Sequence, residues 1–239
     1  MHRCGNTGGI GEEGGDLLMG SELWGQPIDG GFYSDSNHCY RDGDGRVIPS
    51  VTGIFDCLGL SDFSNIDPSV LEWKRGFGSA VHRGIELLVY NKLDWDTCPD
   101  EIISAVVGVE SWLREVKYEP ISSEEKKILT INGMRVGGTL DHRGSLLYKG
   151  LRRPCILDIK TGSKYSSTWP WQVGAYSAGA PKVEGAGYVG AALQVNKDGQ
   201  VKPFWVDVLK ARQEFTLLLA TANLVVNAGL KKFKNQEED

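Results

Sequence analysis

The chain has no C-x-x-C pair, and its five cysteines (Cys4, Cys39, Cys57, Cys98 and Cys155) are scattered and odd in number. That argues against a disulfide framework and against a four-cysteine zinc site, so the thiols read as reduced and partly buried. No apolar run approaches the roughly 18 residues that suggest a membrane span. No apolar core follows the early Arg3, so no signal peptide is expected. The expected setting is cytoplasmic, or the host cytoplasm for a viral chain. There is no internal repeat and no excess of basic residues. With 26 Lys and Arg against 31 Asp and Glu, the net charge is −5, which argues against a broad basic surface for nonspecific nucleic-acid binding. A local basic groove stays compatible with that balance.

What is present suits a single compact unit: 239 residues with 41% hydrophobic content. Ten of the first 31 residues are Gly, with Glu12, Glu13 and Asp16 among them. Residues 1–35 are therefore expected to form a flexible Gly-rich arm. Residues 36–234 are expected to form one domain, and residues 235–239 a frayed tail. Asp42-Gly43-Asp44-Gly45 reads as a hairpin turn, because Arg46 breaks the calcium-loop pattern. Asp67 and Pro68 read as N-cap and first residue of a helix. Val81, Ile85, Leu88 and Val89 continue it as a buried stripe, with a break expected at Gly76 and Gly78. A second amphipathic helix follows Pro99. Strands are expected at "KKILTI", "MRVGGTLDHRG" and "PCILDIKT", the first two joined by a tight turn at Asn132-Gly133. "WPWQVGAYSAGA" reads as a helix. "GAGYVGAALQV" and "VKPFWVDVL" read as a hairpin, and a closing helix runs from Arg212 to Phe233. The fold class is α/β, a central mixed sheet flanked by helices.

Within "ILDIKTG", strand alternation puts Asp158 and Lys160 on one face and Leu157 and Ile159 on the other. A buried charge needs a partner. Three consecutive antiparallel strands would bring Asp141 of "GTLDHRG" opposite Asp158 and Lys160. Two facing carboxylates call for a cation, and hard oxygen donors suit Mg²⁺ or Mn²⁺. Gly137, Gly138, Gly144 and Gly162 crowd the same region and would let a bulky substrate approach the backbone.

The arrangement Asp141…Asp158-Ile159-Lys160 resembles the signature of the PD-(D/E)XK nuclease superfamily. "GSAVHRGIE", with Gly78 and His82, resembles the helical G-x-x-x-H motif of its RecB-like and CRISPR-adaptation exonucleases. "WQVGAY", with Gln172 and Tyr176, resembles their Q-x-x-x-Y motif. "VIPSVTGIF" is similar to a segment of phage and mitochondrial exonucleases of this group. The resemblance covers roughly residues 40–207. Leu140 stands where some members have proline. It implies a restriction-endonuclease-like core with the helices from Asp67 to Tyr118 roofing the site. It also implies a metal held by His82, Asp141, Asp158 and the Ile159 carbonyl, with Lys160, Gln172 and Tyr176 catalytic beside Asp141 and Asp158. Glu124 and Glu86 are further candidates. As residues alone, Glu124 reads as a solvated charge and Glu86 as a partner of Arg83. No iron–sulfur cluster is expected, because the cysteines near the C-terminus that hold one in many relatives are missing here.

Arg75, Arg83, Arg143, Thr161, Lys164 and Trp169 are candidate DNA contacts, although core packing is the plainer reading of Trp169. Lys74, Lys149, Arg152 and Arg153 could join them along a channel wall. The expected function is a metal-dependent DNA exonuclease acting on single strands or duplex ends in recombination, repair or phage DNA processing, with no membrane association. A helicase or recombination partner is not identifiable. The alternatives are a structure-specific endonuclease of the same superfamily and a nuclease-fold DNA-binding module without catalysis.

Overall fold

The computed structural model describes residues 25–61, 66–181 and 187–233. Among the described residues, nine strands and five α-helices follow one another in this order. Four short strands come first: β1 (Gln26–Ile28), β2 (Gly31–Ser34), β3 (Cys39–Arg41) and β4 (Val47–Ile48). Helices α1 (Val51–Cys57), α2 (Pro68–Val89) and α3 (Asp100–Glu115) come next. Strands β5 (Glu119–Ile131), β6 (Met134–Tyr148) and β7 (Leu151–Lys160) lead to α4 (Thr168–Gly179). Strands β8 (Val189–Val195) and β9 (Val201–Val206) precede the closing helix α5 (Val208–Asn227).

The main sheet runs β5-β6-β7-β8-β9. Only β7 and β8 are parallel, and α4 makes the crossover between them. Alternation along β7 sorts the core. Leu157 and Ile159 enter the apolar cluster beneath α2 and α3, and Ile156 enters the one beneath α1, α4 and α5. Asn132 and Gly133 both have positive φ, and Ile131 pairs with Met134, as a two-residue hairpin loop requires. Among the described residues, no helix is long and apolar enough to cross a membrane.

Helix α2 opens as expected. The Asp67 carboxylate accepts from the Ser69 and Val70 amides, with Pro68 in the first turn. The expected break at Gly76 and Gly78 does not occur. A helix-interior glycine costs only about 1 kcal/mol relative to alanine. Burial of Phe77, Val81 and Ile85 against Ile102, Ala105 and Val106 outweighs that cost.

Part of the expected arm, from Gln26 to Ser34, is built into strands. β1 and β2 pair with β3 and β4 in an antiparallel sheet, and Phe32 and Tyr33 are buried. This small sheet docks on the main one: Ile128 N donates to Asp29 O and Gly137 N to Pro49 O, both at 2.8 Å. Gly137 is required there, since a Cβ would lie 2.1 Å from Tyr40 Cγ. The Asp42 turn holds: its Oδ1 accepts from the Asp44 and Arg46 amides, and its Oδ2 from Arg135. The part of the arm at residues 1–24 and the tail lie outside the described residues.

Helices α4 and α5 touch backbone to backbone at Gly174, where a Cβ would fall 2.5 Å from the Ala211 carbonyl carbon. Backbone cannot swing away as a side chain can. Gly174→Ala should therefore cost roughly 1–3 kcal/mol, read as a lower urea midpoint. Gly43→Ala, which meets nothing within 4 Å, should leave the midpoint unchanged.

Candidate metal centre

Three elements converge at the C-terminal end of β7. Helix α2 contributes His82, one turn beyond Gly78. Strand β5 contributes Glu124, and the flanking pairs Ser123↔His142 and Glu125↔Leu140 set Glu124 opposite Asp141 of β6. His82 Nδ1 lies 3.5 Å from Glu124 Oε1 and 3.6 Å from Asp141 Oδ2. One donor atom from each of the three falls within 4.8 Å of the others. Glu124 adopts φ of 50°, rare for a non-glycine residue inside a strand. Its buried Oε1 has no hydrogen-bond partner among the described residues. Asp141 is oriented from β7, where Ile159 N donates to Oδ2 at 2.7 Å. From β5, Ser123 Oγ donates to the Asp141 carbonyl at 3.0 Å and lies 3.1 Å from His142 Nδ1. The sequence reading overlooked Ser123, because a serine in a charged stretch carries no signal of its own.

A second chain of groups lies beside the first. Asp158 is fully buried, with Lys160 Nζ 2.7 Å from its Oδ2. Lys160 Nζ also donates to Gln172 Oε1, and Gln172 Nε2 donates to Tyr176 OH, both at 2.8 Å. Gln172 and Tyr176 sit one turn apart on α4, so a single helix face carries both.

Charge follows this packing. Burial pushes the Asp158 carboxyl up to about 6, against the pull of Lys160 and with Asp141 adding to the rise. Burial likewise raises Asp141, although His82 and Lys160 oppose it. Burial alone would lower His82, but Asp141 and Glu124 outweigh it and carry the imidazole up to about 9. Tyr176 is held well above its ordinary value by burial and by Asp158 and Asp141, so its hydroxyl keeps its proton. Burial lowers His142 to about 3, leaving it neutral.

These are hard donors with one imidazole, and the buried Glu124 Oε1 and Asp158 Oδ1 lack hydrogen-bond partners among the described residues. Such a set has the donors to hold a metal ion. No protein-family model matches the chain, and no curated protein matches it in sequence.

The other sequence candidates divide. Glu86 pairs with Arg83, and both line a cleft of about 510 Å³ with Gly78, Ser79, His82, Glu124 and Lys126. Helix α2 lines one side of this cleft and β5 the other. Arg75 is exposed two turns before His82, and Lys164 is exposed in the loop after Lys160. Thr161 packs at Gly78, where a Cβ would lie 3.0 Å from its Oγ1.

Asp158 stands beside the His82–Glu124–Asp141 cluster, with its carboxylate paired to Lys160. Several other expectations need correction. Arg143 is committed to Glu125, with only 14% of its side chain exposed. Trp169 is buried against Tyr165 and Phe204 and offers no free ring face. Lys149, Arg152 and Arg153 belong to the opposite end of β7, where Arg152 pairs with Glu119 and Arg153 donates to Gly187 O. The room expected for substrate at Gly137, Gly138 and Gly144 is filled by the rings of Tyr40, Tyr176 and Tyr118; Gly162 alone stays open.

Proposed function

We propose that the chain is a metal-dependent deoxyribonuclease of the PD-(D/E)XK type, acting on DNA ends or single strands. One observation supports this above the others. A hard-donor cluster, His82–Glu124–Asp141, stands beside a lysine fixed by Asp158 and Gln172. His82, Glu124 and Asp141 would hold the cation, with Asp158 and the Ile159 carbonyl as the further ligands implied by the resemblance. The bound ion would neutralise phosphate oxygens and make water acidic enough to attack.

The chain's own groups do the rest. Two of the three Lys160 ammonium protons are taken, by Asp158 and Gln172. The third can meet an attacking water or the charge that develops on a phosphate oxygen. Gln172 sets the direction of that proton, and Tyr176 holds the Gln172 amide. Ile159 N and Ser123 hold Asp141 from two strands.

Purified protein with end-labelled oligonucleotides tests the reading. Cleavage should appear with Mg²⁺ or Mn²⁺, vanish in EDTA and fall as salt rises. No cleavage with either ion would overturn it.

The exonuclease form of the proposal rests on the Gly78/His82 and Gln172/Tyr176 motifs. Linear single-stranded DNA should be degraded while a covalently closed single-stranded circle of the same sequence survives. Equal digestion of the circle, absent from the Lys160→Ala control, would make the protein an endonuclease.

A further inference from the structure

Sheet register carries the face that holds Lys160 across to β9. Lys160 pairs with Gln194, and Gln194 with Lys202. Asp158 pairs with Ala192, and Ala192 with Phe204. Lys202 and Phe204 therefore share the face of Asp158 and Lys160, two strand spacings away, or about 10 Å. The loop after Lys160 crosses the same end of the sheet, tied down where Gln194 Nε2 donates to Gly162 O at 2.7 Å. It delivers Tyr165 onto Phe204, with ring centroids 5.0 Å apart, and onto Trp169 at 5.4 Å. Two inner rings thus prop an outer ring that is 51% exposed.

Cations lie near this cluster. Lys202 Nζ lies 4.8 Å from the Phe204 centroid, and Lys164 precedes Tyr165 in the exposed loop. In a chain of net charge −5, an exposed, backed aromatic ring with lysines nearby has the chemistry of a base-stacking platform. Such sites combine a ring for the base with cations for the backbone.

We infer that Tyr165, backed by Phe204 and Trp169 and with Lys164 and Lys202 nearby, stacks an unpaired base of a single strand whose scissile phosphate lies at Lys160. This rests on the nuclease reading and adds a second contact to it. An intact duplex has no free base face to offer, so the platform selects single strands or frayed ends. Lysines alone would hold any polyanion; the ring makes the site specific for a strand with bases.

The test is fluorescence anisotropy in EDTA, so that nothing is cut, with a labelled oligothymidylate of about 20 nucleotides and an abasic strand of the same length. Tyr165→Ala should weaken oligothymidylate binding about tenfold, and Tyr165→Trp should retain it. On the abasic strand, wild type and Tyr165→Ala should bind alike. Equal binding of oligothymidylate by wild type and Tyr165→Ala would overturn the platform, as would an equal loss on both strands. Cleavage by the wild type in Mn²⁺ separates the two proposals. If it cuts while Tyr165→Ala binds normally, only the platform falls. If it neither cuts nor binds, the nuclease reading falls and takes the platform with it.

Discussion

Lys160→Ala should reduce Mn²⁺-dependent cleavage by on the order of a thousandfold, the usual effect of removing one preorganised donor to developing charge. It should also destabilise the metal-free protein, because Asp158 is fully buried and Lys160 is its ion-pair partner. Removing one member of a buried pair typically costs about 3–5 kcal/mol. The second effect complicates the first, since lost structure also lowers activity.

The pH dependence separates them. The Asp158 carboxyl is raised to about 6, so the folded state binds its proton more tightly than the unfolded state does. The stability this adds is complete below the ordinary carboxylate value and is lost as pH rises through about 6. Without Lys160 the carboxyl should rise further, and the loss should move to higher pH. The melting deficit of Lys160→Ala should therefore be small at pH 5 and large at pH 8. Adding Asp158→Asn removes the orphaned charge and should restore the melting temperature at pH 8. It should not restore cleavage. A double variant that melts like wild type and still cuts at the wild-type rate would refute the catalytic role of Lys160.

The parts of the molecule legible in its sequence are those whose pattern is local. Strands β5 to β7 show their alternation within a few residues, and Asn132-Gly133 marks its own turn. Lys160 and Gln172 meet because strand and helix periods set them, and both are readable. Of the small N-terminal sheet, only the turn between β3 and β4 was legible. Its strands are two to four residues long, and Tyr40 fits only because Gly137, far along the chain, leaves room. Glu124 was half legible for a related reason. Strand alternation cannot anticipate a left-handed residue, and that conformation accompanies its place beside His82 and Asp141. Trp169 and Tyr165 show a third limit. Both rings pack on Phe204 of β9, yet Trp169 is buried and Tyr165 half exposed, a difference that tertiary packing sets and the sequence does not display.

Mn²⁺ affinity should rise about tenfold per pH unit between pH 6.5 and 8.5, a total of about a hundredfold. In the metal-free protein, Asp141 and Glu124 hold the His82 imidazole protonated up to about pH 9. A ring nitrogen must shed that proton before it can bind an ion, so binding in this range should release close to one proton. Calorimetry in two buffers of different ionisation enthalpy measures the release directly. The same proton sets the stability of the empty site. The raised His82 value contributes stability that is complete below pH 6.5 and lost as pH rises through about 9. Filling the site exchanges the proton for an ion, so the gain in melting temperature on adding Mn²⁺ should grow with pH. His82→Gln keeps a polar side chain but has no proton to release. Its binding should be weaker and its affinity nearly flat over the same range. Wild-type binding with no proton release and no pH slope would show that His82 is not a ligand. It would leave Glu124 and Asp141 to hold the ion without the imidazole.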